Sequence, residues 1–84
     1  MSQRSDLIKA LGSESRLLIL LALARHRGEE MTVYRIVRLS GLKRDLVRKN
    51  LPILLTSTLV NKRAYGKSVL YALNDENPVV QKLR

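Results

Sequence analysis

The stretch from Leu42 to Leu59 reads LKRDLVRKNLPILLTSTL, and the rest of the chain is organised around it. Its apolar residues recur at i, i+4, i+7 and i+8, the spacing of one helical face: Val47, Leu51, Leu54 and Leu55. The opposite face is polar and mostly basic. Pro52 lies on that exposed face and removes one backbone hydrogen bond. The pattern therefore predicts one helix over about residues 43–57, with a bend near Pro52.

Short elements are predicted on both sides of this helix. Before it, Thr32 is a suitable cap for a helix over Val33–Leu39, and Ser40-Gly41 favours a tight turn. After it, the runs Val60–Ala64 and Ser68–Leu73 alternate like two strands around a glycine-containing turn. Helix, tight turn, basic helix and hairpin together predict a mainly α chain with a β-hairpin wing (α+β), which is the winged helix-turn-helix architecture.

The N-terminal third is predicted to supply the core. A helix from Glu14 to about His26 contains the run Leu17–Ala24, which is apolar nearly all round and so must be buried nearly all round. A shorter helix is expected to start near Ser5, and Asn77 with Pro78 favours a last helix. We expect residues 1–84 to form a single domain, with a core over about 5–73 and a short C-terminal helix over about 78–83.

Positive charge is concentrated in the middle of the chain. Sixteen lysines and arginines oppose seven acids, for a net charge of +9. Nine of those cations and the single acid Asp45 lie between Arg35 and Lys67, so this segment alone carries +8. A surface adapted only for solubility would spread its charge, whereas this distribution indicates a polyanionic partner.

The sequence lacks the residues that several classes of function require. There is no cysteine, which rules out disulfides and thiolate-bound metal. His26 is the one histidine, and neither a glycine-rich phosphate loop nor a pair of catalytic carboxylates occurs. The longest apolar run has eight residues, too few to cross a bilayer. We expect no enzyme activity, cofactor, metal, small-molecule ligand or membrane partner, and a cytoplasmic, nucleoid-associated location.

The basic helix offers the side chains best suited to read bases. Arg44, Arg48 and Lys49 lie in its first two turns, and a helix in the major groove brings such residues to guanine O6 and N7. Asp45 has two interpretations. It can accept a hydrogen bond from cytosine N4, or it can brace Arg48 and Lys49 from one turn away, which we favour. The whole face is also compatible with a solvated charged surface that binds nothing.

Contacts with the DNA backbone are expected from the flanking elements. The hairpin contributes Lys62, Arg63, Tyr65 and Lys67. The preceding helix and turn contribute Thr32, Tyr34, Arg35, Arg38 and Lys43. Such contacts position a protein on DNA without reading its sequence. The alternatives are a hairpin edge whose lysines prevent aggregation and, for Arg35 and Arg38, ordinary surface charge.

Two segments resemble ArsR-type winged-helix transcriptional regulators. LGSESRLLILLAL, residues 11–23, resembles the second-helix signature of that family, and GLKRDLVRKNLPILLTSTLVNKRAYGKSVLYAL, residues 41–73, resembles its helix-turn-helix and wing. The resemblance covers about residues 7–73. The same hydrophobic spacings occur in MarR-like and in archaeal or viral winged-helix proteins, so the superfamily is better supported than the subfamily.

The chain also departs from that family's pattern. Metal-sensing members carry cysteines in the third helix, where this chain reads VYRIVRL, so sensing through thiolates is excluded. Pro52 and Thr58 differ from the usual pattern, in which a small residue, typically glycine, leads into the wing. The resemblance implies a homodimer formed through the first and last helices. The apolar residues available for that interface are Leu7, Ile8, Leu11, Val79, Val80 and Leu83.

The expected function is sequence-specific binding of double-stranded DNA by a homodimeric transcriptional regulator. The helix over about 43–57 is expected in the major groove, and the wing over about 60–73 on the backbone or in the minor groove. Two alternatives stay open: a sequence-neutral architectural protein that binds DNA or RNA, and a winged-helix module that binds other proteins.

Overall fold

The computed structural model describes residues 14–82, which form four helices and one antiparallel hairpin. In chain order the elements are α1 (Glu14–Ala24), α2 (Val33–Ser40), α3 (Arg44–Thr56), β1 (Val60–Tyr65), β2 (Ser68–Leu73) and α4 (Pro78–Gln81). This is a winged helix-turn-helix, so the predicted fold is confirmed. The helix expected near Ser5 and the predicted interface residues Leu7, Ile8, Leu11 and Leu83 lie outside the described residues.

Helix α1 forms the centre of the core, as its apolar run predicts. Its buried leucine and isoleucine side chains are Leu17, Ile19, Leu20 and Leu23. The helix ends at Ala24, two residues before its predicted end, and the chain continues in turns to Gly28. Gly28 has a φ of +88°, a conformation that costs glycine little.

Local hydrogen bonds fix both ends of α2. The Thr32 hydroxyl accepts a hydrogen bond from the Arg35 amide at 3.3 Å and so caps the start of α2. Gly41 ends α2 in the left-handed region, with φ +75°, and its N–H donates to the Val37 carbonyl at 3.1 Å. Because these signals are local, the sequence alone predicts both ends of α2 to within one residue.

Helix α3 continues past Pro52 to Thr56, which confirms the prediction of one helix. Three residues of its apolar face, Val47, Leu51 and Leu54, are buried, and Pro52 is exposed. Asn50 is buried beside them at 5% exposure. Its Oδ1 accepts from Arg16 Nε at 3.1 Å and its Nδ2 donates to the Leu46 carbonyl at 2.8 Å. Both ends of the buried amide are therefore satisfied.

The connection from α3 to β1 contains a left-handed threonine. Thr58 has φ +59° and is the only described residue other than glycine with a positive φ. A β-branched residue is strongly disfavoured in this region. Hydrogen bonds hold it there: its carbonyl oxygen accepts from Asn74 Nδ2 at 2.7 Å, and its Oγ1 accepts from Asn77 Nδ2 at 2.9 Å. The two asparagines thus tie the entry of the hairpin to the segment that leads into α4.

The two-stranded hairpin is attached to the core at its base and pairs with one further residue, Met31, through an isolated bridge. β1 and β2 pair in register from Val60 opposite Leu73 to Tyr65 opposite Ser68, and Val60 and Leu73 are buried. Met31 lies along the other edge of β2. Its N–H and carbonyl each bond to Tyr71 at 2.7 Å.

Helix α4 packs into the core rather than standing free. Asn77 Oδ1 accepts from the Val79 amide at 2.8 Å and caps the helix, as predicted. Val80 is fully buried within the protomer. Its predicted place at a dimer interface is therefore wrong, because the side chain has no surface to offer a second subunit. Val79 is half-buried. Within residues 14–82 no helix has the length and apolarity to span a bilayer.

Candidate nucleic-acid interface

A groove of about 660 Å³ lies between α3, the start of α2 and the hairpin, and we call it the α3–hairpin groove. Its apolar floor includes Leu51, Leu55 and Tyr71. Six polar side chains also line it: Thr32, Tyr34, Arg44, Arg48, Lys62 and Ser68. No acidic residue is among the lining residues, so every charged side chain that lines the groove is positive.

Helical and strand geometry explain why these cations meet. Arg44 and Arg48 are four residues apart on α3, which places them one above the other on the same face. Lys62 lies opposite Tyr71 in the hairpin register, and both point to the face of the sheet that turns toward α3. The sequence predicted each of these residues separately as a DNA contact; the structure places Arg44, Arg48 and Lys62 around one groove.

Most of the predicted cations have no ionic partner among the described residues. The ion pairs of this region join Arg35 to Glu29 and Arg63 to Glu30. The cations of the segment Arg35–Lys67 that make no ion pair with any residue of 14–82 are Arg38, Lys43, Arg44, Arg48, Lys49, Lys62 and Lys67. Seven like charges in one region repel one another, and a polyanion bound there would relieve that repulsion.

Asp45 does not brace its neighbours as we favoured. It is exposed in the first turn of α3, and no ion pair within residues 14–82 joins it to Arg48 or Lys49. The favourable position of a carboxylate near a helix N-terminus is sufficient to account for it there. Arg48 and Lys49 consequently keep their charges exposed.

The predicted DNA contacts of the hairpin lie on its two opposite faces. Successive residues of a strand point to opposite faces, so Lys62 lines the α3–hairpin groove and Arg63 points away from it. Arg63 Nε donates to Glu30 Oε2 at 2.7 Å, and the guanidinium lies over the Tyr65 ring at 5.3 Å. The hydrogen bond from Arg63 lowers the pKa of Glu30, against a smaller opposing effect of desolvation. No local sequence pattern identifies Glu30 as the partner of Arg63, because the two residues are 33 positions apart.

The predicted contacts on α2 are also divided. Tyr34 is 57% exposed and lines the groove, and its hydroxyl accepts from Arg38 Nη1 at 3.0 Å while the guanidinium lies 5.8 Å from the ring centre. Arg35 instead reaches the Glu29 carboxylate at 3.4 Å, beside His26, which lies 2.9 Å from the same carboxylate. Tyr34 and Arg38 therefore face solvent as a pair, whereas Arg35 is already paired with Glu29.

The described residues offer no metal centre, because no group of three or more histidine, cysteine or acidic side chains comes together among them. Among the acids within residues 14–82, His26 contacts Glu29 alone.

Known proteins resemble this chain in structure rather than in sequence. No protein-family model matches it, and no curated protein matches it either. Among solved structures, the homodimeric winged helix-turn-helix DNA-binding domain of Mb0332 from Mycobacterium bovis, described as a possible ArsR-family transcriptional regulator, is 28% identical with a TM-score of 0.69; the match covers 98% of this chain and 80% of that one.

Two further structures are similar over most of their length. Reduced HlyU from Vibrio cholerae is 28% identical with a TM-score of 0.70, and the match covers 92% of this chain and 76% of HlyU. The transcriptional repressor BigR from Xylella fastidiosa is 24% identical with a TM-score of 0.73, and the match covers 94% of this chain and 74% of BigR. The structural neighbours are winged-helix transcriptional regulators, in agreement with the fold described above.

Proposed function

We propose that this chain is a sequence-specific, double-stranded-DNA-binding transcriptional regulator that acts as a homodimer, of the ArsR-like type. Its proposed location is the cytoplasm, at the nucleoid, where the DNA lies. We propose no enzymatic activity, because a transcriptional regulator of this kind requires none. The observation that carries the proposal is the α3–hairpin groove, in which Arg44, Arg48 and Lys62 meet with no acid among the lining residues.

Helix α3 is proposed to enter the major groove with its N-terminal turns leading. Arg44, Arg48 and Lys49 are exposed there and make no ion pair within the described chain, so they reach bases without first breaking an internal contact. Asp45 is exposed beside them and makes no ion pair with Arg48 or Lys49 within residues 14–82. It is therefore proposed to accept a hydrogen bond from cytosine N4. These four residues form the proposed base-reading set.

Phosphate contacts are proposed from both sides of α3. Lys62 and Lys67 act from the hairpin, and Lys43, Tyr34 and Thr32 act from the turn and the start of α2. A further member, Arg38, reaches the backbone through its pairing with Tyr34. Arg35, Arg63 and Tyr65 leave the contact set, because carboxylates of this chain already hold both arginines and Tyr65 carries the Arg63 guanidinium.

Dimerisation is proposed through the N-terminal segment and the half-buried Val79, as the resemblance implies. Leu7, Ile8, Leu11 and Leu83 are the other apolar residues proposed for this interface. A two-fold dimer presents two copies of α3 to half-sites about one helical turn apart. Bound sites are therefore expected to be inverted repeats.

Selection of bound fragments from genomic DNA tests this proposal. The wild-type protein is expected to enrich one motif, read as an inverted repeat with half-sites about 10 base pairs apart. Binding without any enriched motif would favour a sequence-neutral architectural protein, and equal binding to RNA would point the same way. Failure to retain any nucleic acid at low salt would favour a protein-interaction module instead.

A further inference from the structure

The start of α3 exposes one large apolar side chain among its charged ones. Arg44, Asp45, Arg48 and Lys49 are all exposed, and Leu46 between them is 39% exposed. Leu46 belongs neither to the buried core nor to the half-buried apolar residues packed against it. A leucine is thus partly exposed to water in the part of the helix that is proposed to enter the DNA.

The backbone at Leu46 is fixed on both sides. Its N–H donates to the Lys43 carbonyl at 3.0 Å, and its carbonyl accepts from the buried Asn50 side chain at 2.8 Å. Asn50 is in turn held by Arg16 of α1 at 3.1 Å. The side chain of Leu46 therefore projects from a rigid point of the fold, and little ordering is required when it meets a partner.

We infer that Leu46 is a specificity-determining residue that contacts the C5-methyl group of thymine, and the inference rests on the proposed function. In the major groove the thymine methyl is the one apolar group among the base edges, and apolar side chains contact it. Burial of one methyl-sized group corresponds to about a fourfold change in affinity. Because Lys49 follows Leu46 by three residues and shares its face of α3, the bound half-site accordingly contains a thymine beside the base that Lys49 reads.

Ile53 provides a matched control on the same helix. It is 38% exposed and follows Leu46 by seven residues, so it lies on the same face two turns later. At about 1.5 Å per residue it is roughly 10 Å further from the helix N-terminus, beyond the turns that usually reach bases. Replacement of Ile53 should not change the response to a thymine methyl.

The test replaces each thymine of a selected site in turn by deoxyuridine, which lacks only the methyl group. Binding of wild type, Leu46→Ala and Ile53→Ala is measured on each duplex, together with a random duplex. One substitution is expected to weaken wild type and Ile53→Ala by about fourfold and to leave Leu46→Ala unchanged. Because the same duplexes serve all three proteins, any effect of uracil on DNA shape cancels in the comparison.

Three results would overturn the inference. The same loss in Leu46→Ala as in wild type would remove Leu46 from methyl recognition, and insensitivity of wild type at every thymine would do the same. A change of oligomeric state in Leu46→Ala with an unaltered methyl response would assign Leu46 to a protein contact. If wild type binds selected and random duplexes equally, the proposed function itself fails, which is a distinct outcome.

Discussion

Arg63 donates two hydrogen bonds to Glu30, from Nε to Oε2 at 2.7 Å and from Nη2 to Oε1 at 2.5 Å, across 33 positions of sequence. This pair joins β1 to the segment just before Met31, which itself pairs with β2. The two connections fasten the hairpin to the start of α2. The bidentate geometry also gives Arg63 the planar carboxylate contact that guanidinium groups prefer. A DNA phosphate would therefore have to replace Glu30 as the partner of Arg63.

The Glu30–Arg63 pair should make stability depend on pH. The folded state lowers the pKa of Glu30 from its ordinary 4.5, chiefly through the hydrogen bond from Arg63. A carboxyl with a depressed folded-state pKa stabilises the protein above its unfolded-state pKa and loses that contribution as pH falls through the folded-state value. The free energy of unfolding of wild type should therefore exceed that of Glu30→Gln near neutral pH, and the difference should vanish in acid.

Glu76→Gln provides the charge-matched control in that experiment. Glu76 is exposed and makes no ion pair within residues 14–82. Denaturant melts of wild type, Glu30→Gln and Glu76→Gln at several pH values between about 7 and 3 would give the free energy of unfolding of each protein as a function of pH. A gap between wild type and Glu30→Gln that stays constant down to pH 3 would mean that the pair does not stabilise the fold.

Arg48→Ala should weaken binding to a selected site by about 1–3 kcal/mol, or roughly 5- to 150-fold, and should relax the sequence preference. Arg48 belongs to the base-reading set and, like Arg44 one turn away, lines the α3–hairpin groove. Arg25→Ala removes the same charge from an exposed position at the end of α1 and should have little effect. Equal losses for Arg48→Ala on selected and random duplexes would take Arg48 out of base reading.

Lys67→Ala and Arg63→Ala should separate the two faces of the hairpin. Lys67 lies at the turn with no ion pair in the described chain, so its loss should weaken binding to all sequences alike and make the salt slope shallower by about one. Arg63 is held by Glu30, and its loss should leave the slope unchanged. Affinity titrations over a range of salt concentrations give both slopes. A shallower slope for Arg63→Ala would return it to the phosphate contacts.

Thr58→Gly should stabilise the protein by up to about 1 kcal/mol. The left-handed conformation, φ +59°, costs a non-glycine residue about 1–2 kcal/mol. Loss of the exposed hydrogen bond from Asn77 and the larger unfolded-state entropy of glycine both offset part of the gain. In a domain of this size the melting temperature should rise by roughly 4–8 °C per kcal/mol.

Ser57→Gly is the control for that substitution. Ser57 has φ −80°, where glycine brings only additional unfolded-state entropy. Calorimetry should show a rise for Thr58→Gly and a fall or no change for Ser57→Gly. A lower melting temperature for Thr58→Gly would mean that the threonine side chain contributes more through its hydrogen bonds than its conformation costs.

The parts of the fold that could be predicted are those with local causes. The cap at Thr32, the left-handed Gly41, the apolar face of Val47 and its neighbours, and the cap at Asn77 each depend on residues within one or two turns of chain. Pro52 could be placed inside α3 for the same kind of reason, since the apolar spacing continues past it and the residue itself falls on the exposed face.

The parts that could not be predicted depend on contacts between distant residues. Arg16 and Asn50 are 34 positions apart, so a buried asparagine on the apolar side of α3 has no local signal. Glu30 and Arg63 are 33 apart, and only the folded sheet brings them together. A helix as short as α4 carries too little pattern to show that Val80 faces the core of its own subunit.

Sequence-specific recognition by α3 is measured most directly with two duplexes of equal length at one salt concentration. One contains the motif selected from genomic DNA, and the other is a scrambled sequence of the same composition. Fluorescence anisotropy gives a Kd for each. The selected duplex is expected to bind at least about a thousandfold more tightly, and Arg48→Ala should reduce that ratio by roughly 5- to 150-fold. Equal Kd values for the two duplexes would contradict sequence-specific recognition by α3.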